Sequence, residues 1–138
     1  MIHPSISSLV VGSALVPLIF KFGVFSKQHR SFASKASAVS FFICTILVVI
    51  SFLTGFFSGV EGEIIKDHFF YARISLFTVL ITSLIVGLRF LGVSSYKYEL
   101  LSFLFILSSF VLIALSSREG NELAKTRIEQ RLIEQSSR

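Results

Sequence analysis

Tryptophan is absent from this chain, and cysteine occurs once, as Cys44. A single cysteine excludes an intrachain disulfide and a cysteine-based metal centre within one chain. Set in Phe41-Phe42-Ile43-Cys44-Thr45, it reads as a small hydrophobe. Without tryptophan, anchoring at a membrane interface falls to tyrosine, lysine and arginine. Charge is also scarce: 15% of residues are charged, where a soluble domain carries about a quarter. No phosphate-cradling loop is present, because Gly59-Val60-Glu61-Gly62 is not followed by Lys and then Ser or Thr.

What the chain has in quantity is apolar surface. Of its 138 residues, 53% are hydrophobic and 16 are Phe. The few charges gather in short stretches between long runs that are nearly free of them, which is the pattern of membrane spans. Four spans are expected, at about 6–24, 36–57, 69–91 and 98–116. Each has close to the ~20 residues a helix needs to cross the hydrocarbon. Only helices satisfy their backbone groups within one segment in lipid. Short connections then force antiparallel neighbours, so the expected fold is all-α, a four-helix up-down bundle over residues 1–117. Pro17 falls inside the first span, where a mild kink is expected. The first lysine, Lys21, follows the first apolar run instead of preceding it, so the opening reads as a retained span rather than a cleaved signal. At the end of that span Lys21 is expected to snorkel to the interface.

The tail, 118–138, is dense in both signs of charge. Leu123, Ala124, Ile128, Leu132 and Ile133 roughly share one face at helical spacing, so the tail is expected either as a helix that continues the fourth span or lies on a surface, or as a solvated, weakly ordered segment. Small residues four apart, at Ser8 and Gly12, Gly55 and Gly59, and Ser83 and Gly87, are candidates for close helix contacts, within the bundle or in a homo-oligomer.

The net charge of +5 does not point to nucleic acid, because no basic patch sits on a soluble fold. It bears on orientation. The two short odd-numbered connections, with the helix ends beside them, hold Lys21, Lys27, Arg30, Lys35, Arg89 and Lys97. The opposite side holds Lys66 and Arg73 in its loop, with five more basic residues in the tail. Short-loop bias then makes the first side cytoplasmic and both termini extracytoplasmic.

Four crossings bring distant residues to the extracytoplasmic face. His3, Thr54, Gly55, Asp67, His68, Arg73, Glu119 and Glu122 all belong there. Titratable groups at that depth call for a functional reading. Of these, Thr54, Gly55, Asp67, Arg73, Glu119 and Glu122 are expected to form a structural polar cluster. His3 and His68 are the candidate cofactor ligands, since haem b takes two facing imidazoles between helices. A metal site is not expected, because Glu61, Glu63 and Asp67 are not joined by closely spaced His or Cys ligands. The span interiors offer Cys44, Thr45, Ser51, Thr78, Thr82, Ser83, Ser108 and Ser109, none ordinarily ionisable, so a midplane ion path is not expected. Nor is catalysis, since no nucleophile stands beside an oriented base.

Ile2-His3-Pro4 at the start, Leu53-Thr54-Gly55, His68 and Gly120-Asn121-Glu122-Leu123 together resemble the bacterial family known as domain of unknown function 2231. The resemblance runs over almost the whole chain. It implies a small four-helix protein of the bacterial cytoplasmic membrane. Ser7 and Ser8 stand where the family carries a second histidine, and Lys125, Thr126 and Arg127 stand where it carries another. The functional expectation is a non-catalytic accessory or scaffold subunit, or a partner-binding module, in contact with the lipid bilayer and other membrane subunits. A haem-binding redox protein is the chief alternative, followed by a small transport or metal-binding protein.

Overall fold

A computed structural model describes the backbone of residues 3–26, 28–57 and 63–136. Its side chains are described except at 3–8, 57, 63–67, 123, 124, 126–128, 130, 131, 134 and 136. The described residues are helical, with no strand among them. Helix α1 spans His3–Gly23, α2 Arg30–Phe57, α3 Glu63–Gly87 and α4 Tyr96–Ser136. A short 3-10 turn, Leu88–Leu91, finishes α3.

Local chemistry fixes the helix ends. Helix α1 stops in a tightened turn, where the amides of Val24, Phe25 and Ser26 donate to the carbonyls of Lys21, Phe22 and Gly23. Helix α2 opens as the Ala33 amide donates to His29 O at 2.9 Å. After α3, Gly92 takes φ +91 and receives the chain reversal, a conformation that disfavours side chains. Helix α4 is capped by Ser95, whose hydroxyl accepts from the Tyr98 amide at 3.2 Å and whose carbonyl accepts from the Glu99 amide at 3.0 Å.

Three helices are long and apolar enough to cross a membrane, over Arg30–Phe56, His68–Leu91 and Tyr96–Glu122. Helix α1 adds a shorter apolar stretch, Leu9–Gly23, and runs through Pro17 without a break. Helix α4 continues unbroken from its apolar part through the charged segment to Ser136.

Contacts close a ring in which α1 packs on α2 and α4, and α3 packs on α2 and α4. Neighbours run in opposite directions. Ser37 meets Pro17 where Ala33 approaches Gly23; Thr45 meets Ser83 where Phe42 approaches Gly87; and Thr82 meets Ser109 where Tyr98 reaches Val86.

The distribution of residue types is inverted relative to a water-soluble bundle. Large apolar side chains face outward, with Leu84, Leu91 and Phe32 at 75%, 80% and 70% exposure. The buried positions are largely small or hydroxylated: Ala14, Ala33, Ala38, Ser34, Ser37, Ser102 and Ser109. In water such an outer surface aggregates. In lipid it is solvated, and helices associate through small side chains that allow close packing. The close helix contact expected at Ser83 and Gly87 lies on the α2–α3 seam, with Ser83 Oγ at Thr45 and a Cβ on Gly87 at 3.5 Å from Phe42. Gly12 is exposed with nothing near its Cβ position, and Gly59 is outside the described residues.

Each seam carries a polar contact. Ser37 Oγ donates to Pro17 O at 2.8 Å between α1 and α2. Thr45 Oγ1 and Ser83 Oγ lie 2.6 Å apart between α2 and α3. Thr82 Oγ1 and Ser109 Oγ lie 2.9 Å apart between α3 and α4. Thr45 Oγ1 also donates to Phe41 O of its own helix, leaving Ser83 to donate across the seam, and Thr82 Oγ1 lies in donating reach of Thr78 O. Because the unfolded chain in lipid finds similar partners, one such bond contributes only about 0.6 kcal/mol. Thr82→Val is therefore expected to lower resistance to SDS unfolding only slightly, and a loss above ~2 kcal/mol would show a larger role than this seam assigns.

Candidate functional site

The most unusual chemistry lies about one helical turn inside the end of the bundle where α1 finishes and α2 and α4 begin. Lys21 is two residues from the end of α1, Glu99 three from the start of α4, and Ser34 four from the start of α2. At 1.5 Å per residue all three sit roughly 3–6 Å inside the mouth. Lys21 Nζ bonds Glu99 Oε2 at 2.5 Å, and Ser34 Oγ donates to Glu99 Oε1 at 2.8 Å. Both charged side chains are buried, at 2% and 3% exposure, and Ser34 is at 1%.

One carboxylate thus ties three helices together. Both of its oxygens have partners, as a buried charge requires. The ammonium also sits 5.6 Å from the centroid of the Tyr98 ring, close enough for cation–π attraction. Tyr98 in turn donates its hydroxyl to Val86 O at 3.1 Å, fixing α4 to α3. Ser102, fully buried, donates to the Glu99 carbonyl at 3.0 Å. Arg89 stands at the edge of this group, half-buried, with Nη2 3.4 Å from Ser31 Oγ and Nη1 3.4 Å from Val93 O.

This arrangement corrects one expectation: Lys21 does not snorkel outward, and its ammonium turns into the bundle. Its partner Glu99 is not among the residues singled out from the sequence. A signal for the pair exists in the sequence. Opposite charges stand at similar depth, Lys21 just before the first connection and Glu99, the one acidic residue between Asp67 and Glu119, just after the third.

The residues expected at the opposite face are more dispersed. Thr54 is exposed and donates to Ser51 O at 2.9 Å. Arg73 is exposed, while Gly55 and Glu119 are half-buried. Glu122 pairs with Arg118 one turn earlier in α4, at 3.2 Å, and both are well exposed. The backbones of His3 and Asp67 open α1 and α3, but both side chains lie outside the described residues. His68 and Gly120 do meet. A Cβ on Gly120 would be 3.1 Å from His68 Cε1 and 3.5 Å from Nδ1. This close approach leaves no room for a macrocycle between His68 and α4. Among the described residues, no three His, Cys, Asp or Glu converge as a metal site.

Neither a protein-family model, nor a curated protein, nor a solved structure matches this chain.

Proposed function

We propose that the chain is a four-span, up-down bundle of a bacterial cytoplasmic membrane that acts without chemistry of its own, as an accessory or partner-binding subunit. Its resemblance to small four-helix membrane proteins at Ile2-His3-Pro4 and Leu53-Thr54-Gly55 supports the four-span part of this reading. The observation that carries the functional part is the length of α4. Gly120 lies beside His68, so in antiparallel register Glu63, which opens α3, is level with Lys125. Helix α4 runs eleven residues further, to Ser136, or about 16 Å. On this projection Leu132 and Ile133 are 60% and 67% exposed, beside exposed Lys125, Glu129 and Gln135. A helix that projects apolar side chains framed by charge is suited to lie in the groove of a partner. The interior is occupied by internal contacts: the ion pair, the seam hydroxyls and the close-packed small residues bind the helices to one another.

The test is purification in a mild detergent from the native membrane, with mass spectrometry of what accompanies the protein and a reduced-minus-oxidised absorption spectrum. A stoichiometric protein partner and a flat spectrum are expected. Leu132→Asp with Ile133→Asp should release the partner without lowering the melting temperature of the bundle. A Soret band abolished by His68→Ala would replace this reading with haem-based electron transfer.

A further inference from the structure

The end of the bundle that holds the buried ion pair has an unbalanced charge. Among the described residues, six acidic positions belong to the other end: Glu63, Asp67, Glu119, Glu122, Glu129 and Glu134. Glu99 is the seventh, and its carboxylate is already occupied by Lys21 and Ser34. Arg30, Lys35, Arg89 and Lys97 at this end therefore have no other carboxylate nearby among the described residues.

Arg89 is the best placed of these. The 3-10 turn and the left-handed Gly92 set it at the mouth of the α2–α3 seam. Its two Nη contacts, at 3.4 Å, are longer than ordinary hydrogen bonds, and they reach only a hydroxyl and a carbonyl. Its Nε is buried and has no hydrogen-bond partner among the described residues. A guanidinium presents a planar fork of donors matched to phosphate oxygens. Ser31, which Arg89 touches, supplies a hydroxyl. Lys35 follows Ser31 by four residues, so it lies on the same face of α2 one turn deeper, and it is exposed. Phe32 beside Ser31 in the chain, Phe90 and Leu91 directly after Arg89, and Tyr96 at the start of α4 are exposed at 70%, 54%, 80% and 58%, apolar and aromatic side chains of the kind that suit headgroup depth.

We propose that Arg89, Ser31 and Lys35 form a binding site for a phosphate group, supplied by the headgroup of an anionic lipid. The guanidinium takes two phosphate oxygens, Lys35 neutralises the remaining charge, and these exposed apolar side chains hold the acyl chains against α2 and α3. The site rests on the membrane placement of the helices and is independent of the partner proposed for α4.

The test uses the full chain in neutral detergent, titrated with phosphatidylglycerol, phosphatidylcholine or inorganic phosphate, and read by native mass spectrometry and melting temperature. Phosphatidylglycerol is expected to remain bound and to raise the melting temperature, with phosphatidylcholine doing neither. Arg89→Gln should weaken phosphatidylglycerol about tenfold, since a charge-assisted contact is lost. Arg89→Lys should weaken it less, and Arg118→Gln at the other end not at all. Lys35→Gln removes an exposed side chain and decides the matter if Arg89→Gln fails to fold. Stabilisation by inorganic phosphate equal to that by the lipid would overturn the lipid assignment. Equal retention by the wild type, Arg89→Gln and Lys35→Gln would overturn the site, and the partner experiment would be unaffected.

Discussion

Glu99→Ala is expected to be the most damaging single substitution in this protein, costing about 3–5 kcal/mol, because it leaves a charge buried without its partner. Lys21 is 2% exposed, and its ammonium has Glu99 as its anionic partner. Removing the carboxylate leaves that ammonium beside Tyr98 and the packed helices, and also removes the polar ties from α4 to Lys21 of α1 and Ser34 of α2. Lys21→Met is expected to fall in the same range, moderated by the Ser34 hydroxyl that remains on Glu99. The double variant Lys21→Met with Glu99→Leu separates two ideas. If the pair mainly specifies which helix ends meet, replacing both charges with apolar groups of similar size should be close to neutral, as with other buried pairs. Unfolding by SDS in mixed micelles, with helix content followed by circular dichroism, measures all three. The burial assigned to this pair is refuted if Glu99→Ala unfolds within ~0.5 kcal/mol of the wild type, the range of an exposed pair.

The second large effect concerns packing. Phe41 is 1% exposed and among the largest side chains wholly inside the bundle, in a core where its buried apolar neighbours are Val, Ala, Ile, Leu18 and Cys44. Phe41→Ala in a soluble protein costs a transfer term plus a cavity term, together about 3–5 kcal/mol. In lipid the transfer term largely vanishes, because the unfolded reference for Phe is already apolar. The cavity term remains, since helices crossing at fixed seams cannot fully collapse into the space. A loss of about 2 kcal/mol is therefore expected. Phe77, 66% exposed and facing outward, serves as the control, and Phe77→Ala should change stability little. If the two variants lost equal stability, the inside and outside of α2 and α3 would have been assigned wrongly.

Both predictions depend on which face of each helix points inward, and that is where sequence and structure part. The sequence by itself determined that the chain is helical and that much of it is apolar enough for lipid. Long uncharged runs allow no other backbone arrangement when water is absent. It offered a helical pattern past residue 117, since Leu123, Ile128 and Leu132 recur at helical spacing, but left a weakly ordered tail equally open; the structure carries the helix to Ser136. It indicated contact at Ser83 and Gly87 because small residues permit close approach, yet the same spacing at Ser8 and Gly12 leads to an exposed Gly12. In a helix bathed by water the apolar stripe marks the inward face. In a helix bathed by lipid the inward and outward faces are both apolar, so the rotation about the axis leaves little trace in the residues. Only packing against two neighbours at once sets that rotation. It turned Lys21 inward to Glu99, 78 residues away, laid His68 against Gly120, and left Arg89 at the mouth between α2 and the end of α3.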